Sequence, residues 1–416
     1  MPVQASTSGM SPATKTTRRP GRPRLAIVER ELPVKECLAI TIPPLTSKLN
    51  PSAERYDARM KRARLRDLGL RTGQLPPGPL NAITDVAGVR VGHATVVHDT
   101  PSVARTGVTA IWPAGADVWT TAVTAGFHAF NGNGEMTGTI WIDEQGLLAT
   151  PVCITNTHSV GVVRDAVVAY AVREGVEQPW LLPVVGETYD GWLSEADRFP
   201  VTAAHAFAAL DGASAGAVPE GCVGGGTGMI CHEFKGGIGT ASRVVTAAGL
   251  AWTVGALVQA NYGSRDLLRV DGVPVGREIG GDVVPSHRDV PALGGSIIAV
   301  LATDAPLLPI QCKRLARRAT VGLAWVGGIG ANGSGDIFLA FSTGNRVPLA
   351  APLSQLRMIA PDQMTPLFQA AAEATEEAIL NALTAAETTA GRAGRTVHAL
   401  PLDRLQEVMR RYGRAG

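Results

Sequence analysis

Two runs of apolar residues, Ser296–Thr303 (SIIAVLAT) and Ile337–Ser342 (IFLAFS), most constrain the fold of this chain. Neither run alternates apolar with polar residues, so neither suits a strand that has one face in water. A short unbroken apolar run is typical of a strand buried on both faces, and such a strand needs a packed layer above it and below it. We therefore predict a layered α/β architecture.

Three longer segments carry the period of an amphipathic helix. The first begins near His158, the second runs from Cys312 to Val326, and the third begins at Thr365 as an N-cap with Pro366 in its first turn. These helices are expected to cover the buried strands. Their apolar stripes are Val160, Val163, Val167, Tyr170 and Ala171; Cys312, Leu315, Ala316, Ala319, Leu323 and Val326; and Phe368, Ala372, Thr375, Ile379 and Leu383.

The charge of the chain is unevenly distributed along its length. The formal net charge is +2, but the first 76 residues carry +9 and the remainder −7. Residues 1–45 are rich in Pro, Ser, Thr and Arg and lack periodicity, which predicts a flexible basic extension. Residues 46–416 are predicted to form one catalytic domain. Because that domain has no basic stripe, we expect no nucleic-acid partner.

An uncharged segment between Arg243 and Arg265 is long enough to span a bilayer. Glycines and polar residues interrupt it, so it is better interpreted as two buried segments joined by a turn around Gly249. We expect neither a transmembrane helix nor a membrane partner. The five cysteines form no CxxC pair, and no apolar stretch follows the N-terminal charges, so the sequence predicts reduced thiols and a cytoplasmic protein.

The glycine-rich and histidine motifs predict no cofactor and no metal. Gly328–Gly333 fits GxGxxG, but a helical pattern precedes it and a strand follows it, the reverse of a dinucleotide site. We interpret it as a tight turn that presents Asn332, Ser334 and Asp336. The eight histidines show no ligand spacing, and no serine lies in a GxSxG elbow.

A candidate self-cleavage site lies directly before the first apolar run, at Leu293-Gly294-Gly295-Ser296. Glycine permits a backbone conformation that a larger residue would resist, and the Ser296 hydroxyl could then attack the Gly295 carbonyl. Hydrolysis of the resulting ester would leave Ser296 as a new N-terminus that carries both a nucleophile and a base. An α-amine titrates near 7.7–8.0, close to where a base works best. The same dipeptide also occurs in ordinary turns.

The sequence resembles the DmpA-type family of self-processing serine aminopeptidases, which includes L-aminopeptidase D-amidase/D-esterases and β-aminopeptidases. The resemblance covers most of residues 80–385 and implies a four-layer αββα sandwich, similar to the N-terminal-nucleophile hydrolases but with its own connectivity. It also implies a homotetramer of αβ units. The matching motifs, in order, are NGNGEMTG (131–138), TNTHSVG (155–161), GETYDG (186–191), GGGTGM (224–229), FKGGIGTASR (234–243), VQANYGSR (258–265), GSIIAVLATDAPLLP (295–309) and NGSGDIFLAFSTGN (332–345).

The family's chemistry transfers to this chain at the matched positions. The resemblance implies cleavage at Gly295–Ser296, giving an α chain that ends at Gly295 and a β chain that begins with the nucleophile Ser296. It places Ser334 and Asp336 beside that nucleophile and its amine. It makes Asn261 the oxyanion donor, Tyr189 a residue of the same pocket, and Glu187 the counter-charge for the substrate ammonium group. The implied activity releases N-terminal residues from short peptides, amides or esters through an acyl-enzyme.

Two other functions remain open at this stage. A self-cleaving acyltransferase of the ornithine acetyltransferase type shares the new N-terminal nucleophile, although that nucleophile is usually threonine. An unprocessed, inactive relative would serve as a binding protein. Structural interpretations also remain, because Asn261, Ser334 and Asp336 are common turn residues and Glu135 could be structural or could contact substrate.

Overall fold

The computed structural model describes residues 61–287 and 295–414. The predicted flexible extension, residues 1–45, and its boundary lie outside the described residues, so the division into domains stays a prediction. The strands are β1 Arg90–His98, β2 Ala104–Trp112, β3 Thr121–Gly132, β4 Leu147–Leu148, β5 Val152–Asn156, β6 Val184–Thr188, β7 Ile230–Cys231, β8 Phe234–Lys235, β9 Gly237–Ala247, β10 Leu250–Tyr262, β11 Gly295–Thr303, β12 Ser334–Pro348, β13 Thr389–Ala390 and β14 Thr396–Val397. The helices are α1 Thr139–Gln145, α2 Val160–Arg173, α3 Ala203–Asp211, α4 Val275–Glu278, α5 Pro309–Ala316, α6 Ala319–Val326, α7 Thr365–Ala385 and α8 Leu402–Arg411.

A six-stranded sheet in the order β4-β3-β12-β11-β10-β9 forms the centre of the molecule. Strands β11 and β12 are the two predicted apolar runs, and they pair in parallel beside each other. Successive side chains of a strand point to opposite faces. Accordingly Ile297, Ala299 and Leu301 pack in the core that contains α7, while Ile298 and Val300 pack in the core that contains the second sheet. The prediction that these runs are buried on both faces is confirmed.

The second sheet has four strands in the order β1-β2-β5-β6. Its inner residues Ile111 and Ile154 share a core with Ile298 and Val300 of the central sheet. Helices α2 and α3 contact strands of this second sheet, and helices α5 and α7 contact strands of the six-stranded one. The layers are therefore α, β, β and α, as the resemblance implied.

The predicted elements appear with two differences. Helix α2 carries the expected stripe, and the uncharged segment forms the hairpin β9–β10 with its turn at Ala248–Gly249. The single helix predicted over Cys312–Val326 is two helices, because α5 packs on β3 whereas α6 packs on α7. Helix α7 begins with Thr365 as its first helical residue, so the cap position is Met364 rather than Thr365. No helix of the described residues is long and apolar enough to cross a membrane.

Close contact between a helix and the central sheet requires glycine at one position. A β-carbon at Gly239 on β9 would lie 1.9 Å from the carbonyl oxygen of Ala378 on α7, so only glycine fits there. Next to this contact, the buried Arg243 of β9 bonds two carboxylates of α7. Its Nε lies 3.1 Å from Glu373 and its Nη2 2.6 Å from Glu377. The helix and the sheet are thus joined by both packing and charge.

Replacing Arg243 with methionine is expected to lower the free energy of unfolding by about 3–5 kcal/mol, because the variant leaves the buried Glu373 without an arginine and Glu377 with Arg66 alone. Urea denaturation measures this change. The control is Arg346→Met, which removes a partly exposed pair with Asp117 and should change the free energy of unfolding by less than about 1 kcal/mol. Equal destabilisation by the two substitutions would contradict the stabilising role of the buried pair.

Candidate active site

The candidate nucleophile, Ser296, is the second residue of β11 and follows Gly295. Gly295 has a φ of +121°, and a β-carbon there would lie 2.2 Å from the Asn261 carbonyl oxygen. Only glycine can occupy this position, because both its backbone angle and its surroundings exclude a side chain. Ser296 follows it, is 7% exposed, and accepts a hydrogen bond at its hydroxyl oxygen from the Gly335 amide over 3.2 Å. The structure therefore joins a glycine-only backbone to a nearly buried hydroxyl.

Asn261 is the register partner of Ser296 on β10, so the two side chains share one face of the sheet. Its side-chain oxygen accepts a hydrogen bond from the Ile230 amide over 2.8 Å, and its side-chain nitrogen donates one to the Tyr189 carbonyl over 3.0 Å. A primary amide carries two N–H groups. No acceptor among the described residues takes the second one, so Asn261 is fixed in orientation and keeps one donor in reserve.

A cleft of about 830 Å³ opens at this face of the sheet. Five of the predicted site residues line it: Gly295, Ser296, Asn261, Tyr189 and Glu187. The Tyr189 ring is 52% exposed and passes over Gly191, where a β-carbon would lie 2.1 Å from the phenol oxygen. The glycine of the GETYDG motif thus permits this position of the tyrosine.

Glu187 lies at the carboxyl-terminal end of β6 and is 3% exposed. One carboxylate oxygen accepts a hydrogen bond from the Glu135 amide over 3.0 Å, and the other accepts one from the Thr157 hydroxyl. Burial raises the pKa of Glu187 above its usual value, although these two hydrogen bonds oppose the rise. A cation that entered the cleft would offset the free-energy cost of burying the Glu187 carboxylate in its charged form.

Ser334 and Asp336 lie on β12, next to β11, and line a small separate cavity rather than the cleft. The Ser334 hydroxyl donates a hydrogen bond to Asp336 over 2.6 Å. Their register partners on β11 are Gly295 and Ile297, so both side chains lie on the face opposite to the Ser296 hydroxyl. Burial raises the pKa of Asp336, and hydrogen bonds from Ser334 and the Ile297 amide oppose the rise. The pair therefore neighbours the backbone at Ser296 rather than its hydroxyl.

Several residues of the cleft were not found by sequence reasoning, among them Trp192, Arg392 and Arg395. The two arginines belong to the turn between β13 and β14, about 200 positions from Trp192 along the chain. The only signal in the sequence was the GRAGR segment (391–395), which places two cations among glycines. Within residues 61–287 and 295–414, no group of histidine, cysteine, aspartate and glutamate side chains is arranged to hold a metal ion.

Comparisons with known proteins agree with this geometry. The model of peptidase family S58 matches residues 81–397. The chain is 47% identical to the β-peptidyl aminopeptidase BapA of Sphingosinicella microcystinivorans over 369 residues, which cover 84% of this chain and 93% of the relative.

Two solved structures are similar as well. One is a β-aminopeptidase of a Burkholderia species, with a TM-score of 0.79, 53% identity and coverage of 84% of this chain and 99% of that one. The other is the L-aminopeptidase D-Ala-esterase/amidase of Ochrobactrum anthropi, with a TM-score of 0.79, 46% identity and coverage of 85% and 99%. The latter is described as a prototype of the serine aminopeptidases and a new variant of the Ntn hydrolase fold.

These findings confirm three expectations drawn from the motifs: the family, the αββα architecture related to the Ntn hydrolases, and the class of serine-type aminopeptidase or amidase. They favour this class over the acyltransferase, whose family is not the one that matches. The chain belongs to peptidase family S58.

Proposed function

We propose that the chain cleaves its own backbone at Gly295–Ser296 and then uses Ser296 as the nucleophile of an aminopeptidase. The observation that carries this proposal is the junction of a glycine-only residue with a nearly buried serine hydroxyl beside an oriented amide donor. A backbone conformation open only to glycine and a nucleophile on the next residue are the two features that the acyl shift would use.

In the processing step, the Ser296 hydroxyl oxygen attacks the carbonyl carbon of Gly295. The bond between that carbon and the Ser296 nitrogen then breaks, so that the acyl group moves from nitrogen to oxygen and the nitrogen takes up the proton. Water hydrolyses the ester, which leaves a carboxylate on Gly295 and a free amine on Ser296. This new amine neighbours the Ser334–Asp336 pair across the parallel strands.

In the turnover step, the neutral amine of Ser296 takes the proton of its own hydroxyl as that oxygen attacks the substrate carbonyl. Ser334 orients this amine and relays its proton, and Asp336 holds Ser334. Asn261 donates its unused N–H to the developing oxyanion. The leaving amine or alcohol takes up the proton, and water then hydrolyses the acyl-enzyme.

Glu187 supplies the charge that selects a free N-terminus. Its carboxylate lines the cleft, and an ammonium group would offset the cost of its burial. Substrates whose amine is acetylated lack this charge and should be poor. Glu135 also lines the cleft and adds a second negative charge at the same end.

The relatives suggest the substrates to test, since they are named for β-peptides and for L-amino acid and D-alanine derivatives.

We propose a homo-oligomer of αβ units, with a homotetramer as the expected form, in the cytoplasm. The exposed apolar side chains of Trp180, Leu182 and Leu349 line one surface cavity and support an assembly surface. The molar mass from light scattering tests the oligomer, and cell fractionation tests the location.

The test of function is a panel of p-nitroanilides of L-alanine, D-alanine and β-alanine, each with a free and an acetylated amine. We expect release of p-nitroaniline from at least one free-amine compound and none from its acetylated counterpart, because only the former presents an ammonium group to Glu187. Acetyl transfer from acetylornithine to glutamate serves as the control for the acyltransferase. Transfer without hydrolysis, or binding without either reaction, would contradict the proposal.

A further inference from the structure

The cleft beside Ser296 is negatively charged at one end and positively charged at the other. Glu135 and Glu187 lie at the first end, whereas Arg392 and Arg395 lie at the second, and all four line the same cavity. The proposed function assigns the substrate ammonium group to the acidic end, but it assigns no ligand to the two arginines. Two cations in the same cleft repel each other, and a bound anion would offset this repulsion.

The guanidinium groups of Arg392 and Arg395 have no carboxylate partner among residues 61–287 and 295–414. Arg392 contacts the Gly191 carbonyl oxygen at 3.5 Å, and Arg395 contacts that of Trp192 at 3.3 Å. Arg395 also lies over the Trp192 ring, with its central carbon 4.2 Å from the ring centre. By contrast, the arginines of the buried network, Arg66 and Arg243, each bond carboxylates. The cleft arginines therefore keep donors for a ligand.

The turn that carries these arginines is attached firmly to the cleft wall. The Arg392 amide donates a hydrogen bond to the Leu193 carbonyl over 2.8 Å. A β-carbon at the preceding Gly391 would lie 2.3 Å from the same carbonyl oxygen, so the close contact depends on glycine. The backbone that carries the two arginines is therefore held against the cleft wall at Leu193.

One segment of the chain connects the acidic residues, the oxyanion donor and the basic residues of the cleft. Residues 187–192 begin at Glu187, pass Tyr189, whose carbonyl accepts the Asn261 amide, and end at Trp192 under Arg395. The oxyanion donor therefore contacts this segment between Glu187 and Trp192. Five steps of chain span at most about 18 Å, while a peptide of two to four residues spans about 7–14 Å. The chain turns at residues 190–194, where the Leu193 and Ser194 amides bond the Asp190 carbonyl, so the gap is shorter than this limit and comparable to a short peptide.

We propose that Arg392 and Arg395 bind the C-terminal carboxylate of a short peptide, so that the enzyme prefers small peptides with two free termini to their amides. This inference rests on the proposed aminopeptidase function and adds the substrate class. Guanidinium groups present forked donors that match a carboxylate. A peptide held at both charged ends would place its first carbonyl beside Ser296 and Asn261.

The test compares three dipeptides, L-Ala-L-Ala, D-Ala-L-Ala and β-Ala-L-Ala, each as the free acid and as the C-terminal amide. For the dipeptide that is cleaved best, we expect kcat/KM to be about 10- to 100-fold higher for the acid than for the amide, the range of a charged hydrogen bond. The double variant Arg392→Gln/Arg395→Gln should bring this ratio to about one, mainly by raising KM for the acid. Hydrolysis of the p-nitroanilide, which has no carboxylate, should persist in this variant.

The control is Arg357→Gln, because Arg357 also bonds only a backbone carbonyl, that of Gly344, but lies outside the cleft. It should keep the preference of the unmodified enzyme for acids. Equal kcat/KM for acid and amide in the unmodified enzyme would overturn the inference, as would a double variant that loses acid, amide and p-nitroanilide hydrolysis to the same extent. Absence of any hydrolysis by the unmodified, processed enzyme would instead overturn the proposed function.

Discussion

Replacing Ser296 with alanine is expected to abolish both self-cleavage and turnover, because one hydroxyl performs both reactions. The purified variant should run as a single chain of 43.3 kDa on a denaturing gel. Its activity toward the best p-nitroanilide should fall by about 10⁶-fold, the scale on which a serine protease loses activity with its nucleophile. Gel electrophoresis and initial rates measure the two effects separately.

The matched control for this variant is Ser296→Cys, which keeps a nucleophile of similar size at the same place. It should still cleave itself, although more slowly. If the alanine variant were cut at the same bond, the Ser296 hydroxyl would not be the processing nucleophile. If the alanine variant were uncut but fully active, Ser296 would not be the nucleophile of turnover.

Replacing Asn261 with alanine is expected to lower kcat by about 10²- to 10³-fold, the usual effect of removing one oxyanion donor. The donor acts on charge that develops during the reaction, so KM should change little. Asn261→Asp should be at least as slow, because a carboxylate would oppose the developing negative charge. Steady-state kinetics on completely processed protein measure both variants.

Asn261 also bonds the Ile230 amide and the Tyr189 carbonyl, so loss of structure has to be separated from loss of catalysis. Gln259→Ala provides this control, since Gln259 is a buried amide two residues earlier on β10 that bonds Thr155 and Thr188 without lining the cleft. Comparable falls in kcat for both variants would assign the effect of Asn261 to structure. A rise in KM alone would place Asn261 in binding instead.

The buried strands were predictable because their apolar runs have a simple physical cause. A strand covered on both faces carries mostly apolar residues on both of them, and the sequences SIIAVLAT and IFLAFS show this pattern. The break between α5 and α6 was not readable, because Cys312–Val326 keeps one continuous apolar stripe. That break depends on two different packing partners, β3 for α5 and α7 for α6, which the local sequence does not show.

The candidate site was predictable from the sequence only in part, and the difference lies in distance along the chain. Ser296, Asn261, Tyr189 and Glu187 were found through motifs, and the structure brings all four to one cleft. Ser334 and Asp336 were also found, but their position on the opposite face of the sheet follows from strand register. Register is set by pairing between distant segments and is not contained in the motif itself.

The residues at the basic end of the cleft were missed for a related reason. Arg392 and Arg395 reach it through a small hairpin whose backbone bonds the chain near Leu193. Neither arginine stands in a motif that resembled the family, and surface arginines are ordinarily solvated. Only the folded chain shows that Arg392 meets Gly191, that Arg395 meets Trp192, and that both lack a carboxylate partner among the described residues.

We expect this chain to become active by releasing Ser296 as an N-terminus. N-terminal sequencing of the purified, active protein, combined with its intact mass, shows whether this release has occurred. We predict two polypeptides, one of which begins Ser-Ile-Ile-Ala, and activity that rises in step with their formation. A fully active preparation that contains only the uncut chain would contradict it.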